Sequence, residues 1–221
     1  MWTRLLPTTL ALLLVAPALA SEVAGRVRWH GPPPPAASIA TTKDVQACGA
    51  AVPDEAVQVT QGGLENVVVR VEVPGAPAAA PRPLGLDQQG CRYRPRVQAA
   101  APGSALTIAN GDPVLHNVHG WLGQATAFNV PMPLQGGRTP RTLARPGLVR
   151  VGCDVHEWMA AWILVTPTPF VAVTGPGGRF ALAGLPTGRW EAVAWHESLG
   201  ERRAALQVGP DGAGVLELSY P

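Results

Sequence analysis

Residues 148–165 read LVRVGCDVHEWMAAWILV, and this stretch decides how the rest of the chain is interpreted. Residues 148–152 and 162–165 are mostly apolar or β-branched, which predicts two strands. Between them lies a short loop in which Cys153, His156 and Met159 follow one another with two residues between successive members. Because a strand anchors each end of so short a loop, the three side chains can be directed at one point.

The composition of the whole chain agrees with a protein made of strands. The 221 residues include 25 glycines and 24 prolines, and 47% are hydrophobic. Prolines and glycines destabilise helix interiors, so a helical bundle or a doubly wound α/β sheet is disfavoured. Further strand patterns occur at Val23–Trp29, Val67–Val73, Arg92–Val97 and Ala105–Ile108. The predicted fold class is all-β, with many short strands joined by turns.

The first 20 residues have the pattern of a signal peptide. Arg4 supplies the positive charge, Leu10–Val15 is the apolar core, and Ala18–Ala20 provides the small residues of a cleavage site. No later apolar run is long enough to span a bilayer, so we expect an exported protein without a transmembrane segment. Beyond Arg4 the chain has 16 basic and 15 acidic residues in no basic block, which argues against a nucleic-acid partner.

Three cysteines in an exported chain leave one without a disulfide partner. Cys48 lies in a polar turn and Cys91 opens a strand, and neither has a histidine nearby in the sequence. Cys153 has His156 three residues later. We therefore predict a Cys48–Cys91 disulfide and a Cys153 thiolate held by a metal ion.

A second segment, residues 109–119, supplies more candidate ligands, because it ends in His116-Asn-Val-His119. On a regular strand these two histidines face opposite sides, so we expect His116 to be the ligand and His119 to be an extra ligand or a supporting residue. One thiolate, two imidazoles and a thioether favour copper. A nucleophilic Cys153 with His156 as its base is the competing interpretation, and Met159 taken alone would be read as core packing.

Together the two segments resemble the cupredoxins, the plastocyanin and azurin group. The resemblance rests on Asn-x-Asp-Pro-x-x-His-Asn-Val at residues 110–118, followed by Cys-x2-His-x2-Met at residues 153–159. It implies a Greek-key sandwich that carries out outer-sphere electron transfer, with Asn117 fixing the cysteine loop and His156 nearest the surface. It also implies a periplasmic location and a redox partner such as a c-type cytochrome or a dehydrogenase. The copper ligands it implies are His116, Cys153, His156 and Met159.

Two other stretches extend the resemblance. Residues 87–97, DQQGCRYRPRV, are similar to bacterial periplasmic cupredoxin-like proteins of the methylamine-utilisation type. Residues 180–190, FALAGLPTGRW, resemble the carboxypeptidase-regulatory-like module, a small β-sandwich of the immunoglobulin or transthyretin kind. The predicted organisation is a signal peptide at 1–20, a cupredoxin-like domain at 21–166 and the second sandwich at 167–221.

Three functions are compatible with these patterns. The first is a mononuclear copper protein for electron transfer. The second stores or delivers copper with the same ligands, and the third is a structural or carbohydrate-associated module with a vestigial metal site. Paired carboxylates, a glycine-rich phosphate loop and Ser-His-Asp spacing are missing from the sequence, so we expect no enzyme. Five side chains are assigned to surfaces or interfaces: Trp121, Trp158 and Trp162, as a docking patch or as packing between domains, and His30 and His196.

Overall fold

The computed structural model describes residues 22–221, and the predicted signal peptide lies outside them. Strands account for most of the described chain, which confirms the all-β prediction. The one α-helix among these residues is a single turn, α1, and a 3₁₀ turn lies at Pro176–Gly178. No helix in this part of the chain has the length and apolar character needed to cross a membrane. In chain order the elements are β1 Glu22–Trp29, β2 Ser38–Ala40, α1 Val45–Cys48, β3 Ala51–Pro53, β4 Val59–Thr60, β5 Gly63–Leu64, β6 Val68–Val71, β7 Leu84–Gln88, β8 Tyr93–Arg94, β9 Val97–Ala100, β10 Ser104–Asn110, β11 His116–Leu122, β12 Ala125–Met132, β13 Arg138–Leu143, β14 Gly147–Cys153, β15 Ala160–Val165, β16 Val171–Val173, β17 Arg179–Ala183, β18 Gly188–His196, β19 Gly200–Val208 and β20 Gly214–Tyr220.

The first sandwich consists of two sheets. One has the order β13-β10-β7-β8, and the other has the order β12-β11-β14-β15-β9. Leu106 and Ile108 of the first sheet share one core with Val118, Val151 and Ile163 of the second, and all five side chains are fully buried. Leu106 and Ile108 are two residues apart along β10, so alternate side chains enter the core as strand geometry requires. This sandwich contains both segments that carry the candidate ligands.

The second sandwich has its own core. Its sheets have the orders β17-β1-β5-β4, with β20 also paired to β1, and β16-β6-β18-β19. Val23 and Val69, from early strands, pack in one cluster with Leu182, Ala194 and Leu218 from late strands. The two ends of the described chain therefore meet in this sandwich.

The predicted boundary near residues 166–168 differs from the observed strand pairing. β1 pairs with β17 and β20, and β6 pairs with β16 and β18. The second sandwich is thus built from residues 22–29 and 59–71 as well as the segment after 167. The physical reason is that strand periodicity specifies a strand and its buried face, but not its partner. The Pro/Ala-rich stretch 74–83 connects one sandwich to the other.

A partly buried ion pair joins the two sandwiches. The Arg96 guanidinium donates through Nε and Nη2 to Glu197 Oε1 and Oε2, at 2.6 and 2.8 Å. The indole N–H of Trp162 donates to the same carboxylate at 3.1 Å, and its ring packs edge-on against Trp195. Trp162 therefore packs between domains, which was the second of the two roles predicted for it.

Candidate metal centre

Strand alternation places the cysteine. Along β14 the side chains of Val149, Val151 and Cys153 are buried, so Cys153 continues the row that faces the core. The strand ends at Cys153, and the chain turns through the loop before β15 begins at Ala160. Cys153 is the free cysteine among the described residues and is 6% exposed.

The first histidine begins the neighbouring strand. His116 and Val118 are buried on β11, which pairs antiparallel with β14. The preceding turn is held by Asn110, whose side-chain amide donates to the carbonyls of Val114 at 3.0 Å and Met132 at 2.9 Å. The Asn110 side-chain oxygen also accepts the backbone N–H of Asp112. These bonds fix the turn before β11, so that His116 begins the strand with its side chain buried.

Three donor atoms converge here. Cys153 Sγ lies 3.9 Å from His116 Nδ1 and 3.8 Å from His156 Nδ1, and the two Nδ1 atoms are 3.0 Å apart. Both histidines are fully buried. The backbone N–H groups of Asn117 and His156 each donate to Sγ at 3.4 Å. The sulfur therefore accepts from two backbone amides and also faces the two imidazoles.

Carboxylates determine which nitrogen of each imidazole carries its proton. His116 Nε2 lies 3.0 Å from Asp112 Oδ2, and His156 Nε2 lies 2.9 Å from Asp44 Oδ2. An ionised carboxylate only accepts, so both Nε2 atoms are donors and both Nδ1 atoms present lone pairs. Burial lowers the pKa of His116, which favours the neutral form that binds metals. Two lone pairs that face each other at 3.0 Å can share a cation.

The donor set fits copper. Donors this close could share one ion, because metal–nitrogen and metal–sulfur bonds in proteins are about 2.0–2.3 Å long. Buried His2Cys groups of this kind suit copper because they combine a soft thiolate with imidazoles. The structure thus brings together three of the side chains predicted as ligands, in a group that can hold a metal ion. A second group of potential metal ligands consists of Cys91, Asp112 and His116. The sulfur of Cys91 cannot bind a metal as a thiolate there, because it is in a disulfide.

The remaining sequence-predicted residues lie around this group. Met159 is 2% exposed, and its backbone N–H donates to the carbonyl of His156 at 3.1 Å. Asn117 donates its side-chain amide to Asp154 Oδ2 at 2.8 Å, across to the cysteine loop as predicted for it. His119 is on the opposite face of β11, where Nδ1 lies 3.1 Å from Asp154 Oδ2 and Nε2 lies 2.9 Å from the Thr126 hydroxyl. The structure thus separates His119 from the converging donors.

The predicted disulfide is confirmed. Cys48 and Cys91 are bonded, and the bond attaches α1 and its flanking strands to the first sandwich. One expectation differs from the structure: His156 was expected nearest the surface, but it is 0% exposed, and its Nε2 lies 2.9 Å from Asp44 Oδ2. His196, assigned to a surface or an interface, is 1% exposed in β18, and the adjacent Glu197 bonds to Arg96 of the first sandwich.

The predicted tryptophan patch is divided among different neighbours. Trp158 donates its indole N–H to the carbonyl of Cys91 at 3.1 Å, and Trp121 stacks on His119. Arg150 lies over the Trp121 ring at 5.1 Å. Each ring therefore packs in its own local environment.

Sequence reasoning missed three supporting residues. The Tyr93 hydroxyl donates to the carbonyl of Gly152 at 2.9 Å, and burial raises the pKa of Tyr93 well above its usual value. It therefore stays a neutral donor and holds the backbone just before the cysteine. Asp112 precedes His116 by four residues within the quoted motif, so its position was a usable signal. Asp44 is 112 residues before His156, and nothing in the pattern links the two.

Comparison with known proteins yields structural likenesses only. No protein-family model matches the chain, and no curated protein matches it. A Cu-containing nitrite reductase from Thermus scotoductus is 23% identical over 45% of this chain and 26% of its own, with a TM-score of 0.36. A purple cupredoxin from Nitrosopumilus maritimus is 21% identical over 38% of this chain and 99% of its own, with a TM-score of 0.33. A reduced amicyanin variant is 20% identical over 44% of this chain and 99% of its own, with a TM-score of 0.35.

The prediction that the chain is not an enzyme is corrected by this comparison. One of the matching structures is a nitrite reductase, and this chain spans about a quarter of its length. The prediction relied on missing carboxylate, phosphate-loop and Ser-His-Asp patterns. Those motifs belong to other reaction classes, so their absence does not separate copper electron carriers from copper enzymes.

Proposed function

We propose that this protein binds one copper ion and transfers electrons through it. The observation that carries the proposal is the convergence of Cys153 Sγ with the Nδ1 atoms of His116 and His156, all buried. These three side chains would hold the ion, and the Met159 thioether, from the same loop, would be a weak fourth ligand. Copper bound in this way supplies reversible one-electron chemistry.

The chain's own residues keep this site rigid. The two amide N–H groups on Sγ stabilise the thiolate, and the Asn117–Asp154 bond fixes the loop that follows it. The carboxylate on each imidazole holds the ring orientation and raises its basicity. A site held by so many contacts changes little when an electron arrives or leaves, which favours rapid transfer.

Export to the periplasm and a redox protein as the partner are parts of the same proposal. The support is the Cys48–Cys91 disulfide, because such bonds persist in oxidising compartments. A c-type cytochrome or a dehydrogenase is the partner we infer. We also propose that the second sandwich is a carboxypeptidase-regulatory-like module, supported by its separate core.

The test is the visible spectrum of the protein loaded with Cu(II). We expect an intense thiolate-to-copper charge-transfer band that disappears in Cys153→Ser and persists in His119→Ala. The band should bleach with a reductant and return with an oxidant. A colourless protein that holds only Cu(I) would favour storage or delivery, and no uptake of copper would favour a vestigial site. Either result contradicts electron transfer.

A further inference from the structure

His156 is covered by a segment that belongs to neither sandwich. Asp44 begins a short stretch, residues 44–50, between the hairpin strands β2 and β3. Its carboxylate reaches His156 Nε2 at 2.9 Å, and the Asp44 side chain is 42% exposed whereas that of His156 is fully buried. Asp44 therefore joins the buried imidazole to the surface of the protein.

The backbone at Asp44 is arranged for this contact. Its φ and ψ are 48° and 38°, the left-handed region that aspartate tolerates better than most residues. Asp44 occupies the N-cap position of α1, yet its side chain makes no capping hydrogen bond. Aspartate at this position ordinarily caps the helix. Here the side chain bonds to His156 instead.

The disulfide connects this segment to the support of the other imidazole. Cys48, at the end of α1, is bonded to Cys91. The backbone N–H of Cys91 donates to Asp112 Oδ2 at 2.9 Å, and the same oxygen accepts from His116 Nε2. The disulfide thus links the segment that carries Asp44, the partner of His156, to the segment that bonds to Asp112, the partner of His116.

We propose that Asp44 is the positioning residue of His156, held in place by the Cys48–Cys91 disulfide. Its carboxylate keeps the proton on Nε2, so that Nδ1 presents its lone pair towards Cys153 Sγ, and it closes the outer edge of the ring to solvent. This proposal deepens the proposed function and rests on it for the effect on copper. Because a carboxylate makes the imidazole a stronger donor, Asp44 stabilises Cu(II) relative to Cu(I) and lowers the reduction potential.

Two substitutions separate the charge from the hydrogen bond. Asp44→Asn keeps an acceptor oxygen without the charge, and Asp44→Gly removes both while fitting the positive φ without strain. Glu157→Gln is the matched control, because Glu157 is an exposed carboxylate beside His156 with no hydrogen bond to it among the described residues. Circular dichroism of all three variants checks that the fold is retained.

The first readout needs no copper. Nitrogen-15 NMR of the metal-free protein should show His156 protonated at Nε2 in the wild type, in Asp44→Asn and in Glu157→Gln. In Asp44→Gly the Nε2 donor loses its acceptor, so we expect the tautomer protonated at Nδ1 to appear. Identical His156 tautomers in Asp44→Gly and the wild type would overturn the proposal.

The second readout uses the protein loaded with copper. We expect the reduction potential to rise in the order wild type, Asp44→Asn, Asp44→Gly, with Glu157→Gln nearest the wild type. Affinity for Cu(II), measured by competition with a chelator, should be about 10–100-fold lower in Asp44→Gly, the range found when a partner behind a ligand is lost. Equal potentials and affinities in all four proteins would overturn the proposal. A wild type without the charge-transfer band would instead contradict the proposed function, while the NMR result would still decide the role of Asp44.

Discussion

Each sandwich buries histidine side chains, but the hydrogen-bond partners of the ring nitrogens differ between the two. In the first, every ring nitrogen of His116 and His156 has a partner: a carboxylate at Nε2, and the facing donors at Nδ1. In the second, the Ser198 N–H donates to His196 Nδ1, and Nε2 has no hydrogen-bond partner among the described residues. The difference shows that burial alone does not mark a metal site; lone pairs that converge from separate elements do.

The largest effect is expected where the His196 region meets the first sandwich. The Glu197 and Arg96 side chains are 7% and 13% exposed, so Glu197→Ala leaves a mostly buried guanidinium without its partner. We expect a loss of about 3 kcal/mol in the free energy of unfolding, measured with urea. The control is Glu191→Ala, which breaks an exposed pair with Arg203 and should cost less than about 1 kcal/mol. Similar losses in the two variants would refute a structural role for the buried pair.

The next largest effect is expected from acid, which should lower the stability of the fold through the buried His196. Burial lowers the pKa of His196 to about 4, although neighbouring Glu197 acts in the opposite direction. Between pH 6.5 and 4 the unfolded chain binds a proton at this residue that the folded chain does not. Stability therefore falls as the pH is lowered through this window, by up to about 3 kcal/mol at its lower end.

The check is the unfolding free energy at pH 7 and pH 4.5 in the wild type and in His196→Asn. Asparagine keeps an acceptor for the Ser198 N–H and cannot be protonated, so the difference between the two pH values should shrink. A variant with the wild-type difference would show that His196 does not contribute to the acid sensitivity.

Substitution of Asp112, which supports the metal centre, is expected to have an intermediate effect. Its carboxylate accepts from the N–H groups of Gly90 and Cys91 and from His116 Nε2. Asp112→Asn weakens these bonds, so we expect a loss of about 2 kcal/mol in stability. Copper affinity should fall by about 10–100-fold, measured by competition with a chelator. His196→Asn, in contrast, should leave copper affinity unchanged, and equal affinities in all three proteins would contradict the support role.

The smallest effect is expected at His119, a histidine of the first sandwich that faces away from the donors. It bonds to Asp154 and Thr126 at a partly exposed position. We expect His119→Ala to cost less than about 1 kcal/mol in unfolding free energy and to leave the charge-transfer band in place. Loss of the band would place His119 among the ligands.

The sequence was sufficient to predict features that follow from local spacing. The three-residue step from His116 to His119 separated these two histidines onto opposite faces, and the lack of nearby histidines singled out Cys48 and Cys91 as a disulfide. It was insufficient where distant segments meet. Asp44 and His156 are 112 positions apart, so local spacing carried no information on their contact.

The sequence did not predict which strands pair, for the same reason. The strand at Glu22–Trp29 was predicted from its pattern, but its partners are the strands at 179–183 and 214–220. A regular alternation shows which face of a strand is buried and leaves open which sheet buries it. The predicted boundary therefore followed chain order, whereas the second sandwich combines both ends of the described chain.

The most direct test of the central claim is X-ray absorption at the copper edge of the loaded protein, because it identifies the atoms bound to the ion. We predict one sulfur at short distance and two imidazole nitrogens, with the sulfur lost in Cys153→Ser. A first shell of nitrogen and oxygen alone, or a spectrum unchanged by Cys153→Ser, would contradict the assignment of Cys153, His116 and His156 as the copper ligands.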